Sequence, residues 1–240
     1  MLDSWLAPHH LQWLLQGFGV TIALTLCAGI PATLLGFVLC VARLAPSRWL
    51  SWPVMSFMSL LRNTPLLAQL FFWYFGVASL LPDATKAWLN ASHRLELVLF
   101  DLRWPPYEYL AAFIALTTFT SVFIAEEFRA GVRAVGAGQR GAAAAMGLTP
   151  RQAWRWVVLP QALRNAFQPL VGQWLNLVKN SSLTMAIGVA EISYRARQVE
   201  TETFRAFEAF AVATLLYLLL ALAMESGGHA WQRRHWHWSR

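Results

Sequence analysis

The chain has 240 residues, 57% of them hydrophobic and 13% charged, with a mean hydropathy of +0.44. Most of its surface is unsuited to water, which excludes an ordinary soluble domain and points to an integral membrane protein. Its 19 Lys and Arg against 12 Asp and Glu give a net charge of +7. These charges are confined to short loops between apolar runs, so membrane topology, and not nucleic-acid binding, accounts for them.

Five apolar segments follow in chain order, each near the roughly 20 residues that a helix needs to cross hydrocarbon: 17–42, 54–81, 107–125, 160–178 and 207–224. The first runs without a charge from Ser4 to Arg43, well beyond the roughly 7–15 residues of a signal core, so it is expected to stay in the mature chain. Pro169, Gly172, Gln173 and Asn176 weaken the fourth, and the apolar stretch 182–190 beyond Lys179 reads as a short re-entrant piece. No hydrophilic run is long enough for a separate soluble domain, so one membrane domain over 1–240 is expected, an all-α bundle of about five helices. Cys27 and Cys40 share one apolar run but fall on largely different helix faces, and read as inert thiols without a disulfide or metal.

Lys and Arg are retained on the cytoplasmic side, which orients the spans. The second loop dilutes Lys86, Arg94 and Arg103 with Asp83, Glu96 and Asp101, and the fourth mixes Arg195, Arg197 and Arg205 with four glutamates. The third carries Arg129, Arg133, Arg140, Arg151, Arg155 and Arg164, and the tail WQRRHWHWSR is basic. The third loop and the C-terminus are therefore expected inside, and the N-terminus outside.

Within that third loop the pattern is two short helices around a turn. The stretch from Ala142 to Met146 favours helix, Gly147 is placed to end it, and Thr149 followed by Pro150 resembles an N-cap with proline at the first helical position. The second helix is expected to run to about Leu159, with Pro160 stopping or kinking it.

The run GQRGAAAAMGLTPRQAWRWVVLPQALR resembles the EAA loop of ABC importer permeases, and its LPQALR ending resembles the polar amino acid branch. GFGVTIALTL, GFVLCVARL, LLRNTPLLAQLFFWYFG, AEEFRAGVRAVGAGQ and LNLVKNSSL extend the likeness, in family order, over nearly the whole chain. The resemblance implies a dimer of permease subunits, homo- or heteromeric, in a bacterial inner membrane. It also implies two cytoplasmic ATPase subunits that bind ATP and Mg, and an extracytoplasmic amino-acid-binding protein. The loop would act as the coupling helix, through Ala142, Ala143, Gly147, Leu148, Leu159 and Pro160. One departure stands out: Gly141 occupies the place where the family's loop usually begins with glutamate.

Candidate path residues follow from the cost of polar groups in an apolar setting. A guanidinium there costs several kcal/mol unless it is paired or faces water. Arg62, with Asn63 and Thr64 before Pro65, reads either as a path-lining cation for a substrate carboxylate or as an interfacial side chain snorkelling to water; Gln69 is its possible companion. Glu126 reads either as a local i,i+3 ion pair with Arg129 or as the carboxylate that meets a substrate ammonium. Lys179, Asn180, Ser181 and Ser182 form a polar knot, either the outer end of a span or a lining element.

Neither of the two lysines, Lys86 and Lys179, follows a glycine, so the chain has no P-loop and ATP hydrolysis is expected from a partner. No metal or cofactor is expected on the chain itself; His235 and His237 in the Trp-rich tail read as interfacial. Two functional classes remain: a permease subunit coupled to an ATPase, or a stand-alone membrane channel or scaffold with a cytoplasmic hairpin.

Overall fold

A computed structural model describes residues 6–91, 94–97, 100–103 and 106–235. The side chains of Arg94, Glu96, Asp101 and Arg103, and the tail beyond His235, which entered the topology reading, lie outside the described residues. The long helices form along apolar runs of the sequence. Helix α1 spans Pro8–Leu44, nine residues earlier in its start than the expected 17, and continues through Pro31. Helix α5 spans Tyr107–Arg133 and α10 spans Ala206–His235. These three are the helices long and apolar enough to cross a membrane among the described residues.

The expected second span is not one helix. Helix α2 (Arg48–Arg62) stops at Asn63, whose N–H bonds Ser59 O at 3.1 Å; Pro65 is extended at ψ 140, and α3 runs from Leu66 to Leu80. Proline has no N–H to continue the ladder and pushes the residue before it out of helical geometry, so an unbroken apolar run does not make an unbroken helix. Helix α3 widens into a π-type stretch at Phe72–Val77, where Tyr107 donates its hydroxyl hydrogen to Trp73 O at 2.7 Å. Helix α4 (Asp83–Asn90) and an antiparallel hairpin, β1 (Arg94–Leu97) with β2 (Phe100–Arg103), complete the second loop. The hairpin is the one departure from an all-helical fold among the described residues.

After α5 come α6 (Ala137–Ala145), α7 (Pro150–Ala153), a π-type stretch Trp154–Val158, and α8 (Leu159–Ser181). Of the two expectations for Pro160, a stop or a kink, the stop is not found: the helix runs through it. A π-type stretch lies immediately before it, and Leu159 N bonds Trp154 O there. The expected re-entrant piece is a 3-10 stretch, Ser182–Ile187, ended by Gly188 at φ +92. Helix α9 (Ile192–Thr203) then starts on Glu191, whose carboxylate accepts from Tyr194 N at 2.9 Å and from the Tyr217 hydroxyl. That carboxylate is fully buried, so these bonds replace its lost hydration.

The described chain resolves into two compact units, each assembled from three separated stretches. One comprises 1–29, 64–117 and 177–221, and its core gathers Leu14, Ile192, Ala196, Val199, Ala209 and Ala213. The other comprises 30–63, 118–176 and 222–240, and its core gathers Ala32, Cys40, Met58, Val122, Ile124 and Phe128. In this second unit Gly36 lets α1 and α5 touch: a Cβ there would lie 2.5 Å from Ile124 Cγ2 and 2.8 Å from Ser121 O. Close backbone approach at small residues supplies helix association where lipid removes the hydrophobic driving force. Both cysteines are free; Cys40 lies in this core and Cys27 is exposed.

Candidate functional site

Two of the expected path residues meet. Arg62, the last residue of α2, places Nη1 3.1 Å from Oε1 of Glu126 on α5. Glu126 also receives Arg129 Nε on Oε2 at 2.8 Å and the guanidinium of Arg43, carried at the end of α1. The local i,i+3 pair with Arg129 thus exists, but as one of three arginine contacts on a single carboxylate. Three cations and one anion leave a formal excess of two positive charges. Glu126, Arg43 and Arg129 have side chains 18%, 19% and 17% exposed, whereas Arg62 is 44% exposed. Arg62 is therefore the open member of the cluster, and its guanidinium has the most surface left for a further anion. Beside it, Asn63 donates to Ser59 Oγ at 3.1 Å, and Glu127 accepts from Gln173 Nε2 at 2.9 Å. In the sequence Arg43 stands out only as the charge that ends the first apolar run; its distance of 83 residues from Glu126 leaves no local signal of the pairing.

The other expected path residues belong to the first unit. Gln69 is buried and donates Nε2 to Thr64 Oγ1 at 2.8 Å, closing the turn that starts α3. The first turns of α3 pack against the 3-10 stretch that follows the polar knot. Within the knot, Ser181 is buried and donates to Val178 O at 2.7 Å and Ser182 donates to Lys179 O at 2.7 Å; just beyond it, Thr184 donates to Ser181 O at 2.7 Å. These hydroxyls satisfy backbone carbonyls where α8 tightens into 3-10 turns. Lys179 is exposed and Asn180 half-buried.

The third-loop hairpin takes the geometry its residues dictate. Gly147 sits at φ +78; Leu148 N bonds Ala143 O at 3.1 Å and Gly147 N bonds Ala144 O at 2.9 Å, the paired bonds of a Schellman termination. Thr149 then caps α7 reciprocally with Gln152: Gln152 N donates to Thr149 Oγ1 at 3.4 Å, and Thr149 N donates to Gln152 Oε1 at 2.8 Å. Ala143, expected on the face offered to a partner, is only 1% exposed and packs inward. The face left open carries Ala142, Ala144, Ala145 and Met146, with Met146 72% exposed. Helical phase explains the difference, because neighbouring positions on a helix point about 100° apart. Leu148 and Leu159 are half-buried, and Pro160 is exposed.

A protein family described as "Binding-protein-dependent transport system inner membrane component" matches residues 16–235. The chain is 36% identical over 211 residues to the glutamate/aspartate import permease protein GltJ of Escherichia coli (strain K12), covering 88% of this chain and 82% of that protein. It is 33% identical over 220 residues to the probable glutamine ABC transporter permease protein GlnM of Bacillus subtilis (strain 168), covering 92% of each. Among solved structures, a crystal structure of an amino acid ABC transporter with histidines superposes with a TM-score of 0.79 at 25% identity, covering 94% of this chain and 95% of the other.

Proposed function

This chain belongs to the family of binding-protein-dependent transport system inner membrane components, and from that membership we propose that it is the permease subunit of an ATP-driven importer for a polar amino acid, glutamate or aspartate first. The observation that carries the substrate charge is the arginine excess around Glu126: with Arg43 and Arg129 held on its carboxylate, Arg62 presents a half-open guanidinium suited to a substrate carboxylate. The names of the relatives, which include glutamate/aspartate and glutamine permeases, support the same class. Asn63, Thr64, Gln69, Lys179, Asn180 and Ser181 are the further candidates for the path.

The capped hairpin at Gly147 is the proposed contact for a cytoplasmic ATPase dimer, which binds the ATP and Mg this chain has no P-loop to hold. The contact surface is Ala142, Ala144, Ala145 and Met146 with Leu148 and Pro160, while Ala143 and Leu159 support it from behind. A second permease subunit, identical or not, and an extracytoplasmic binding protein complete the assembly. The N-terminus lies outside and the third loop and C-terminus inside. Reconstitution with the ATPase and binding protein tests this reading: glutamate uptake driven by ATP is expected. Failure of any ATPase to co-purify with the chain overturns it in favour of a channel or scaffold that works alone.

A further inference from the structure

The first turn of α1 and the last turn of α9 bring together His9, His10 and Glu202, whose ligand atoms all lie within 4.8 Å of one another. We propose that these three residues form a site for a divalent transition-metal ion, zinc in the first instance, fastening the start of α1 to the end of α9.

His10 carries the argument. It is 6% exposed, and among the described residues neither Nδ1 nor Nε2 has a hydrogen-bond partner, although a buried imidazole left unpaired is costly and uncommon. Its Nε2 lies 3.6 Å from Glu202 Oε1, and His9 Nε2 lies 4.0 Å from the same oxygen. Both separations exceed a direct N–H···O bond of about 2.7–3.2 Å. They sit close to the roughly 3.4 Å edge of a tetrahedron whose metal bonds are about 2.0–2.1 Å long. The three ligand atoms all lie within 4.8 Å of one another, so an ion among them requires the two imidazoles to draw in toward it by side-chain rotation. It would satisfy His10 Nε2 and neutralise Glu202.

Ligand type selects the ion. Two neutral imidazoles and one carboxylate suit zinc, copper or nickel and disfavour magnesium and calcium, which prefer all-oxygen sets. Three protein ligands leave a fourth position for water. His9 and Glu202 have side chains 55% and 49% exposed, so the site opens to solvent on one side and its ion can exchange. The rings of His9 and His10 lie 3.9 Å apart at their centroids, and Trp13 stands edge-on to both at 5.8 and 5.6 Å, which places an optical reporter beside the site. The sequence hides this cluster because 192 residues separate His10 from Glu202.

The test uses the full chain purified without a polyhistidine tag. Zn²⁺ is titrated by calorimetry and by tryptophan fluorescence, read against a Trp13→Phe variant because the chain has 13 tryptophans, and Co²⁺ is added to read ligand-field absorption. One zinc per chain is expected, with His9→Gln and Glu202→Gln each weakening it at least about tenfold. Both replaced side chains are about half exposed, so the variants should keep wild-type circular dichroism and elution. His10→Ala should abolish binding. Unchanged zinc binding in the His9 and Glu202 variants would assign the ion to the histidines of the tail and overturn the proposal. So would the absence of any zinc-dependent signal, which would leave a plain His10–Glu202 ion contact. None of these readouts depends on transport, so they stand or fall apart from the importer reading.

Discussion

Arg62 and Glu126 are ion-paired across two helices at 3.1 Å, and of the three arginines on that carboxylate Arg62 is the one that remains substantially exposed. Arg62→Ala therefore leaves Glu126 two guanidiniums and should leave the melting temperature nearly unchanged, because an exposed ion pair contributes little to folding. Uptake should fall about tenfold to a hundredfold, the equivalent of one lost charged hydrogen bond of about 1.5–3 kcal/mol. Arg62→Lys should recover part of it if charge suffices and little if a bidentate grip is needed. Reconstituted uptake beside a thermal melt checks this; normal uptake in Arg62→Ala returns Arg62 to a snorkelling role.

Glu126→Gln behaves oppositely. Arg43, Arg62 and Arg129 would then crowd together without a counter-charge, and two of them are more than four-fifths buried. Destabilisation of about 1.5–3 kcal/mol is expected, seen as a lower melting temperature at unchanged helix content. Combining Glu126→Gln with Arg43→Gln should restore part of it. A melt no lower than wild type would show that the cluster carries no structural role.

For the hairpin, position decides the outcome. Ala144→Trp enlarges the exposed face and should block ATPase pull-down while the chain still inserts and folds. Ala143→Trp overfills a buried position and should destabilise the hairpin itself, by about 1–3 kcal/mol. Gly147→Val puts a β-branched residue at φ +78, which costs about 1–2 kcal/mol and should uncouple ATP hydrolysis from transport. Gly141→Glu should be tolerated, since a Cβ there meets nothing within 4 Å. Normal pull-down and uptake in Ala144→Trp would reduce the hairpin to a connector.

The orientation is checked by cysteine labelling in sealed vesicles, on a background lacking Cys27 and Cys40. Arg151→Cys and Thr85→Cys, both exposed positions, should react from opposite sides of the membrane, as the arginine asymmetry requires. Reaction from the same side contradicts the topology.

Much of the hairpin was legible in the sequence because its signals are local: Gly147, Thr149 and Pro150 each act within one helical turn, and the structure uses all three as read. The membrane belonging and the family likeness were legible for the same reason, as composition and short motifs. The break at Asn63–Pro65 was not, because hydropathy averages over a proline that backbone hydrogen bonding cannot ignore. At Pro160 the reverse holds: the proline follows a π-type stretch and does not end the helix. The inward turn of Ala143 and the gathering of Arg43 on Glu126 depend on tertiary packing, which a linear pattern does not encode.

The passage of the helix through Pro160 has a mechanical meaning. From Pro150 to Asn176 the backbone is one uninterrupted helical rod, which at about 1.5 Å per residue reaches some 40 Å. A push applied where Thr149 and Gln152 lock its tip has a continuous helical backbone to follow toward Gln173 and its partner Glu127. Three places in this shaft are of the kind at which helices bend: the under-wound section Trp154–Val158, Pro160 just after it, and Pro169 further along, and they set how a stroke at the tip travels.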